Sequence, residues 1–308
     1  MRRKTMKRTV GFIGLGIMGK PMAKNLLKAG FPLVVFDLNR AAIEDLVKVG
    51  VLPAGSSKEV AERAEVIITM LPDSPEVKEV ILGKDGVIQG AKPNSVVIDM
   101  SSINPLVTQE IARALKEKGV KMLDAPVSGG ESGAIQGTLA IMVGGEDEVF
   151  RDCMEIFKAT GKNIVLVGGI GAGGFAKLVN QMIVAINIAA VGESFSLGVK
   201  AGLDPQIIYE AIRGGLAGSQ VLEAKAPMIF RRNFKPGFKI KLHHKDLHNA
   251  LSTGKDLGVP MPLSSFVQQV FVSLITEGKG EEDHSVLATF FEKMARVEIK
   301  SIDKAKFD

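Results

Sequence analysis

The sequence predicts an α/β chain in two parts, a doubly wound sheet over residues 7–169 and an all-helical domain over 170–308. Three observations lead there. Short apolar runs alternate with helix-like segments at Val10 to Ile13, Leu33 to Phe36, Val66 to Met70, Ser95 to Asp99, Lys121 to Ala125, Thr138 to Val143 and Asn163 to Val167, the pattern of a mostly parallel sheet. Several of these runs are almost wholly apolar, as strands covered by helices on both faces should be. Beyond Gly169 the strand signals stop and the pattern is helical, punctuated by Gly202, Asp204-Pro205, Gly214-Gly215, Pro227 and Pro236-Gly237.

Composition narrows the class. A chain of 308 residues with 46% hydrophobic content can bury one large core or two moderate ones, and length favours two domains. Its one cysteine, Cys153, excludes an intrachain disulfide and a cysteine zinc cluster, which suits a reducing cytoplasm. Cys153 falls in an expected helix over Glu146 to Ala159 and reads as a buried, inert thiol. The net charge of +5 is spread over helical faces beside Glu and Asp, so neither nucleic acid nor membrane is expected as a partner. The basic run from Arg2 to Arg8 reads as a charged lead-in to the first strand. Read as a secretory signal, it would place the glycines of the first strand's turn in the excised segment, so that reading is rejected. The apolar stretch Met182 to Ala190 is interrupted by Asn187 and is too short to span a bilayer.

The run from Val10 to Gly19 carries the first chemical signal. A short strand enters Gly14, Leu15, Gly16, Ile17, Met18 and Gly19, spaced GxGxxG. The first glycine permits a tight turn, the second lets a pyrophosphate approach the backbone, and the third lets the next helix pack closely. Gly169, Gly171 and Gly174 repeat this spacing, but only the first match is followed by a helix and a second strand that ends in an acid, Asp37. That acid is placed to accept from a ribose hydroxyl. The reading is therefore a nicotinamide dinucleotide at the first turn, with Asn39 and Arg40 beside the ribose. Asp37 favours NAD(H), whereas Arg40 could pair with the 2'-phosphate of NADPH.

Further candidates lie at strand ends. Met70, Leu71 and Pro72 close one strand and Asp99 to Ile103 another, on the edge expected to face the cofactor. Ser101 or Ser102 could contact the cofactor or cap the helix that starts at Pro105. In Asp124 to Gly130, the Ser128 hydroxyl and the N–H groups of Gly129 and Gly130 could hold a carboxylate, or form a plain turn. Lys177, Asn180 and Gln181 share one helix face at i, i+3 and i+4. A lysine there, near a positively charged nicotinamide, is expected to have a lowered pKa and to pass a proton at neutral pH. Clefts between domains and beyond strand ends are where such ligands sit. Lys245 adds a second cation, and His243, His244 and His248 raise a metal question that spacing does not support; a surface or interface role is expected for them, and His284 lies far along the chain.

Taken together, Gly11 to Gly19, Asp124 to Gly130, Gly171 to Gln181 and Lys245 to Leu247 resemble the β-hydroxyacid dehydrogenases over essentially the whole chain. The resemblance implies a Rossmann-type domain, a helical C-terminal domain, a nicotinamide cofactor and homodimers or homotetramers built through the helices. It assigns Lys177 as the catalytic lysine with Asn180 as its partner amide. Ser128, Gly129 and Gly130 become the carboxylate segment, Ser102 a cofactor contact, and Lys245 a lysine near the nicotinamide. Many members carry Asn-Asn where this chain has Asn180-Gln181. Segments Ala211 to Ser219, Lys225 to Met228 and Asn233 to Gly237 most resemble the branch that reduces a small semialdehyde bearing a 2-hydroxyl. The alternatives are the branch whose substrate bears a methyl, a succinic semialdehyde reductase, and a cofactor-binding assembly module without catalysis.

Overall fold

The computed structural model describes residues 7–301; Arg2, Arg3 and Lys4 of the basic lead-in lie outside them. The chain divides into two compact units after Lys177.

The first unit begins with β1 (Val10–Ile13), α1 (Gly19–Lys28), β2 (Leu33–Phe36), α2 (Arg40–Val47), β3 (Leu52–Pro53), α3 (Ser57–Arg63) and β4 (Val66–Thr69). It continues through α4 (Ser74–Leu82), α5 (Val87–Gly90), β5 (Val96–Asp99), α6 (Pro105–Glu117) and β6 (Lys121–Asp124). Next come β7 (Val127–Ser128), α7 (Gly130–Gln136), β8 (Leu139–Gly144), α8 (Asp147–Asp152), α9 (Met154–Thr160) and β9 (Gly161–Gly168). The sheet order is β3-β2-β1-β4-β5-β6-β8-β7, with β9 against β8. Strands β1 to β6 pair in parallel in the Rossmann-type order, and the order reverses between β1 and β4. That reversal opens a crevice at the carboxyl ends of the strands.

Because side chains alternate across a strand, neighbours such as Ile67 and Ile68 feed opposite faces. Ile68 joins Phe12, Met22, Leu26 and Leu123 in one core, while Ile67 joins Ile13, Val77, Val97 and Ile111 in the other. This double burial is why the runs read as continuously apolar.

The structure corrects the expected elements in three places. β8 runs antiparallel to β6 and β7, and Val127–Ser128, expected in a loop, forms a strand bridged to β8. The short β3 was not foreseen; two residues carry no periodicity. The helix expected over Glu146 to Ala159 breaks at Cys153 into α8 and α9. Cys153 is fully buried, and burial pushes its thiol up to about 11 despite the nearby Arg8 charge, so it stays protonated at neutral pH.

The long α10 (Ala172–Lys200) carries the chain into the second unit, which adds α11 (Pro205–Ile212), α12 (Gln220–Phe230), α13 (Ile240–Leu257), α14 (Pro262–Thr276), a 3-10 turn at His284–Leu287 and α15 (Ala288–Ala295). α10 is long and apolar enough to cross a bilayer by length and composition, a far longer element than the Met182 to Ala190 stretch weighed from sequence. Packing in the cores accounts for part of that character, with 39% of its most apolar stretch buried. Ala185, Ile188 and Ala189 enter a core with Leu247, Phe271 and Val286, and Val191 and Phe195 enter another with Tyr209, Leu222 and Phe230.

A Cβ on Gly173, in the first turn of α10, would overlap the Met142 carbonyl oxygen and crowd Asp124. Gly173→Ala is therefore expected to destabilise the first unit by about 1–3 kcal/mol, the usual cost of overpacking. Thermal unfolding checks this, and an unchanged midpoint would mean that the backbone yields at no cost.

Candidate active site

The first glycine turn is built for a ligand that lies against backbone. Gly14 has φ of +95°, and a Cβ there would overlap the Met70 carbonyl oxygen. At Gly19 a Cβ would overlap the carbonyl oxygen of Gly14, so the turn closes only with glycine at both ends. Gly16 faces open space, and α1 has no side-chain cap. An uncapped helix N-terminus beside an open glycine is an anion site. Leu15 is buried and Ile17 exposed, with Met18 half-buried between the turn and the core.

Asp37 sits at the end of β2. Its Oδ2 accepts from the Leu15 N–H at 2.5 Å and its Oδ1 from the Asn39 N–H at 2.7 Å. The Asn39 side chain in turn caps α2. Asp37 and Arg40 line one cavity of about 760 Å³ with Phe36, Leu38 and Pro53. An open glycine turn, an uncapped helix and a carboxylate held beside them fit a dinucleotide with its ribose at Asp37.

The second glycine match works differently. Gly171 and Gly174 N–H groups each donate to Asp124, at 2.7 Å to Oδ1 and 2.7 Å to Oδ2. The start of α10 is thus occupied by a carboxylate from β6, and its glycines provide room for that contact. Asp124 is buried, and burial raises its pKa against the opposing pull of the N–H bonds from Gly174 and Gly171.

Beyond β6, Ser128 is half-buried, and Gly129 and Gly130 have φ of +135° and +60°. Glycine is the residue that adopts such values without strain. Beyond β4, Met70 N–H donates to the Ile13 carbonyl at 2.9 Å and Leu71 N–H to Ser101 Oγ at 2.9 Å; Pro72 follows, exposed. Ser101 thereby ties two strand ends together, and neither it nor Ser102 caps α6. Asn104 does so, accepting from Leu106 N–H. Ser102 is half-buried on the same segment. Asp99, under this loop, accepts from Thr69 and Ser101. Its burial drives the pKa up to about 6, against hydrogen bonds from Ser101 and Thr69 and with a further push from Asp124.

On α10, Lys177 is buried at 7% exposure and shares a face with half-buried Asn180 and buried Gln181. Gln181, given no task of its own from sequence, links Asn180 to α13. It accepts from Asn180 Nδ2 at 2.8 Å and donates to Asp246 Oδ2 at 2.5 Å, while Lys245 Nζ reaches Asp246 Oδ1 at 2.9 Å.

The expected surface or interface role of the histidines fails for His243. It is fully buried, with Nε2 3.0 Å from the Gln181 carbonyl and Nδ1 2.8 Å from Nδ1 of His284. The fold brings together two histidines 41 residues apart. Beside them Asp283 is buried; burial opposes ionisation, but His284, Lys225 and the N–H groups of Ser285 and Phe238 hold its carboxyl well below the usual range.

Comparison with known proteins identifies the family. Residues 9–169 match the family described as the NAD binding domain of 6-phosphogluconate dehydrogenase, and residues 171–291 the NAD-binding family of NADP-dependent 3-hydroxyisobutyrate dehydrogenase. The 2-hydroxy-3-oxopropionate reductase of Escherichia coli is 44% identical over 93% of this chain and 98% of its own. The chain belongs to the β-hydroxyacid dehydrogenase family. The 2-(hydroxymethyl)glutarate dehydrogenase of Eubacterium barkeri is another relative, at 40% identity over 94% of this dehydrogenase and 97% of its own length. Among solved structures, the 3-hydroxyisobutyrate dehydrogenase of Mycobacterium tuberculosis with L-serine has a TM-score of 0.86 at 32% identity, covering 92% of this chain and 99% of that one.

In this dehydrogenase the raised Asp99 pKa has a defined effect on stability. Between the ordinary 3.8 and about 6, the folded state binds more protons than the unfolded one, so the group stabilises at low pH and that contribution is lost as pH rises through this window. Asp99→Asn is expected to gain on the parent by about 1–3 kcal/mol between pH 4 and 7. Denaturant unfolding across that range is the measurement, and a pH-independent difference would contradict it.

Proposed function

We propose that this dehydrogenase reduces 2-hydroxy-3-oxopropanoate (tartronate semialdehyde) to glycerate, with NADH as the preferred cofactor. The 44% identity to a reductase of that name, across nearly the full length of both chains, carries the reading. Supporting it are the segments Ala211 to Ser219, Lys225 to Met228 and Asn233 to Gly237, which resemble that branch.

Each residue then has a chemical task. The glycine turn from Gly14 to Gly19 and the N-terminus of α1 hold the pyrophosphate, and Asp37 the ribose, with Asn39 and Arg40 beside it. Met70, Leu71, Pro72, Ser102 and Lys245 complete the cofactor contacts. When bound, the nicotinamide supplies the hydride that the aldehyde carbon accepts. Ser128 and the N–H groups of Gly129 and Gly130 hold the substrate carboxylate. Lys177 gives its proton to the carbonyl oxygen as negative charge develops there, and Asn180 positions both the lysine and that oxygen. A carboxylate at Asp37 repels a 2'-phosphate, which favours NADH over NADPH. We place the enzyme in the cytoplasm as a homodimer or homotetramer assembled through its helices, where α10 leaves Val179, Ile183 and Leu197 exposed.

A second reading, 3-hydroxyisobutyrate dehydrogenase, is favoured by the C-terminal family match and the Mycobacterium structure. A 2-hydroxyl needs a hydrogen-bond partner and a methyl an apolar niche, so the two substrates separate strongly.

Steady-state oxidation of NADH and NADPH with tartronate semialdehyde, succinic semialdehyde and methylmalonate semialdehyde tests the assignment. The expected result is the highest kcat/KM for tartronate semialdehyde with NADH; a preference for methylmalonate semialdehyde would move the enzyme to the second reading. Lys177→Ala is expected to lower kcat by about 10²- to 10⁴-fold, the range for loss of a general acid, with cofactor affinity nearly intact. Equal turnover in variant and parent would remove Lys177 from that role.

A further inference from the structure

Helix α13 grips one residue of α10 at two points. Three residues apart on α13, His243 contacts the backbone carbonyl of Gln181 and Asp246 accepts from its side chain. Both contacts are buried, with Asp246 at 2% and Gln181 at 5% exposure.

The direction of the side-chain contacts is not free. A carboxylate paired with a lysine offers acceptors only, so Gln181 must turn its NH₂ toward Asp246. Its carbonyl oxygen then faces Asn180, and Asn180 must answer with its own NH₂, as the 2.8 Å contact records. What remains at the end of the series is the Asn180 carbonyl oxygen, an acceptor on the Lys177 face of α10. Reversing any amide along the way would set donor against donor or oxygen against carboxylate.

We infer that Asp246 and Gln181 are positioning residues that fix which end of the Asn180 amide is presented to the reacting groups. The inference rests on the roles proposed for Lys177 and Asn180. An acceptor there takes a hydrogen bond from the Lys177 ammonium and so aims the lysine at the substrate oxygen, whereas an NH₂ in its place would oppose that ammonium.

The test is a swap of polarity in the full-length enzyme. Asp246→Asn alone lets position 246 present either end, and Gln181→Glu alone sets two carboxylates face to face. Each is expected to lower kcat roughly 10- to 100-fold with the KM for NADH changed less than about threefold, the signature of an interaction made in the transition state. In the double variant the amide introduced at position 246 donates to the carboxylate introduced at position 181, whose second oxygen accepts from Asn180, so the original polarity returns. Its kcat is expected to recover to within about fivefold of the parent, a strong non-additivity between neighbours. Its pH–rate midpoint is expected to rise, because a carboxylate now stands closer to Lys177. A double variant no better than the worse single would overturn the inference, since packing alone predicts accumulated damage.

A second readout does not depend on the substrate. In a ¹H–¹⁵N spectrum the Asn180 side-chain NH₂ pair, assigned by its loss in Asn180→Ala, is expected to move in Gln181→Met and in Asp246→Asn and to return toward its parent position in the double variant that joins Gln181→Glu to Asp246→Asn. An Asn180 pair unmoved in both single variants would overturn the relay even if the parent proves active on none of the three semialdehydes. That lack of turnover would sink the functional reading alone.

Discussion

The buried carboxylate of Asp124 is the joint on which the proposed catalytic arrangement depends. It ends β6 and opens the segment that reaches Ser128, Gly129 and Gly130, and its two oxygens take the N–H groups of Gly171 and Gly174 at the start of α10. The loop proposed for the substrate carboxylate and the helix turn before Lys177 are thus referenced to one group. A helix N-terminus offers unpaired N–H groups and a favourable field for negative charge, which offsets the desolvation that raises the Asp124 pKa. Close approach sets the sequence around it. A Cβ on Gly144 or Gly173 would collide with Asp124 or its neighbours, so a run that repeats the spacing of a phosphate turn is a socket for an internal carboxyl group.

How much of this was legible in the chain depended on how local each determinant is. Strands β1, β4 and β5 announce themselves because each carries four residues buried on both faces. β3 and β7, at two residues each, leave no such trace, and Pro53 weakens one of them further. The first glycine turn was readable because its meaning is completed within some 20 residues by α1, β2 and Asp37. The second was not, because its partner Asp124 lies 47 residues before Gly171. The pairings of His243 with His284 and of Gln181 with Asp246, the latter 65 residues apart, are likewise products of tertiary packing. Spacing along the chain placed Lys177, Asn180 and Gln181 on one helix face, but only the fold shows that the amide at 181 is the one gripped from α13.

The helical unit illustrates how buried polar groups coexist with apolar cores. α10 is apolar around most of its circumference because it feeds two cores and also leaves some apolar side chains exposed. The polar cluster of His243, His284, Asp283 and Lys225 packs against Phe238 and Phe271, the latter a member of one of these cores. Such a cluster is tolerable only when its members satisfy one another. Here the Asp283 carboxylate alone gathers Lys225 and the N–H groups of Gly237, Phe238 and Ser285, tying the loop before α13 to the 3-10 turn.

The two N–H bonds on Asp37 carry a lesson for changing what the enzyme accepts. This carboxylate is also a structural bracket, pinning Leu15 in the glycine turn to Asn39 at the head of α2. Removing it to admit a 2'-phosphate strips the acceptor from both N–H groups and loosens the turn that is to cradle the pyrophosphate. On the proposed preference for NADH, cofactor choice and the order of this turn rest on the same side chain. A chain evolving from one nicotinamide to the other has to rebuild the bracket before it can profit from the new charge.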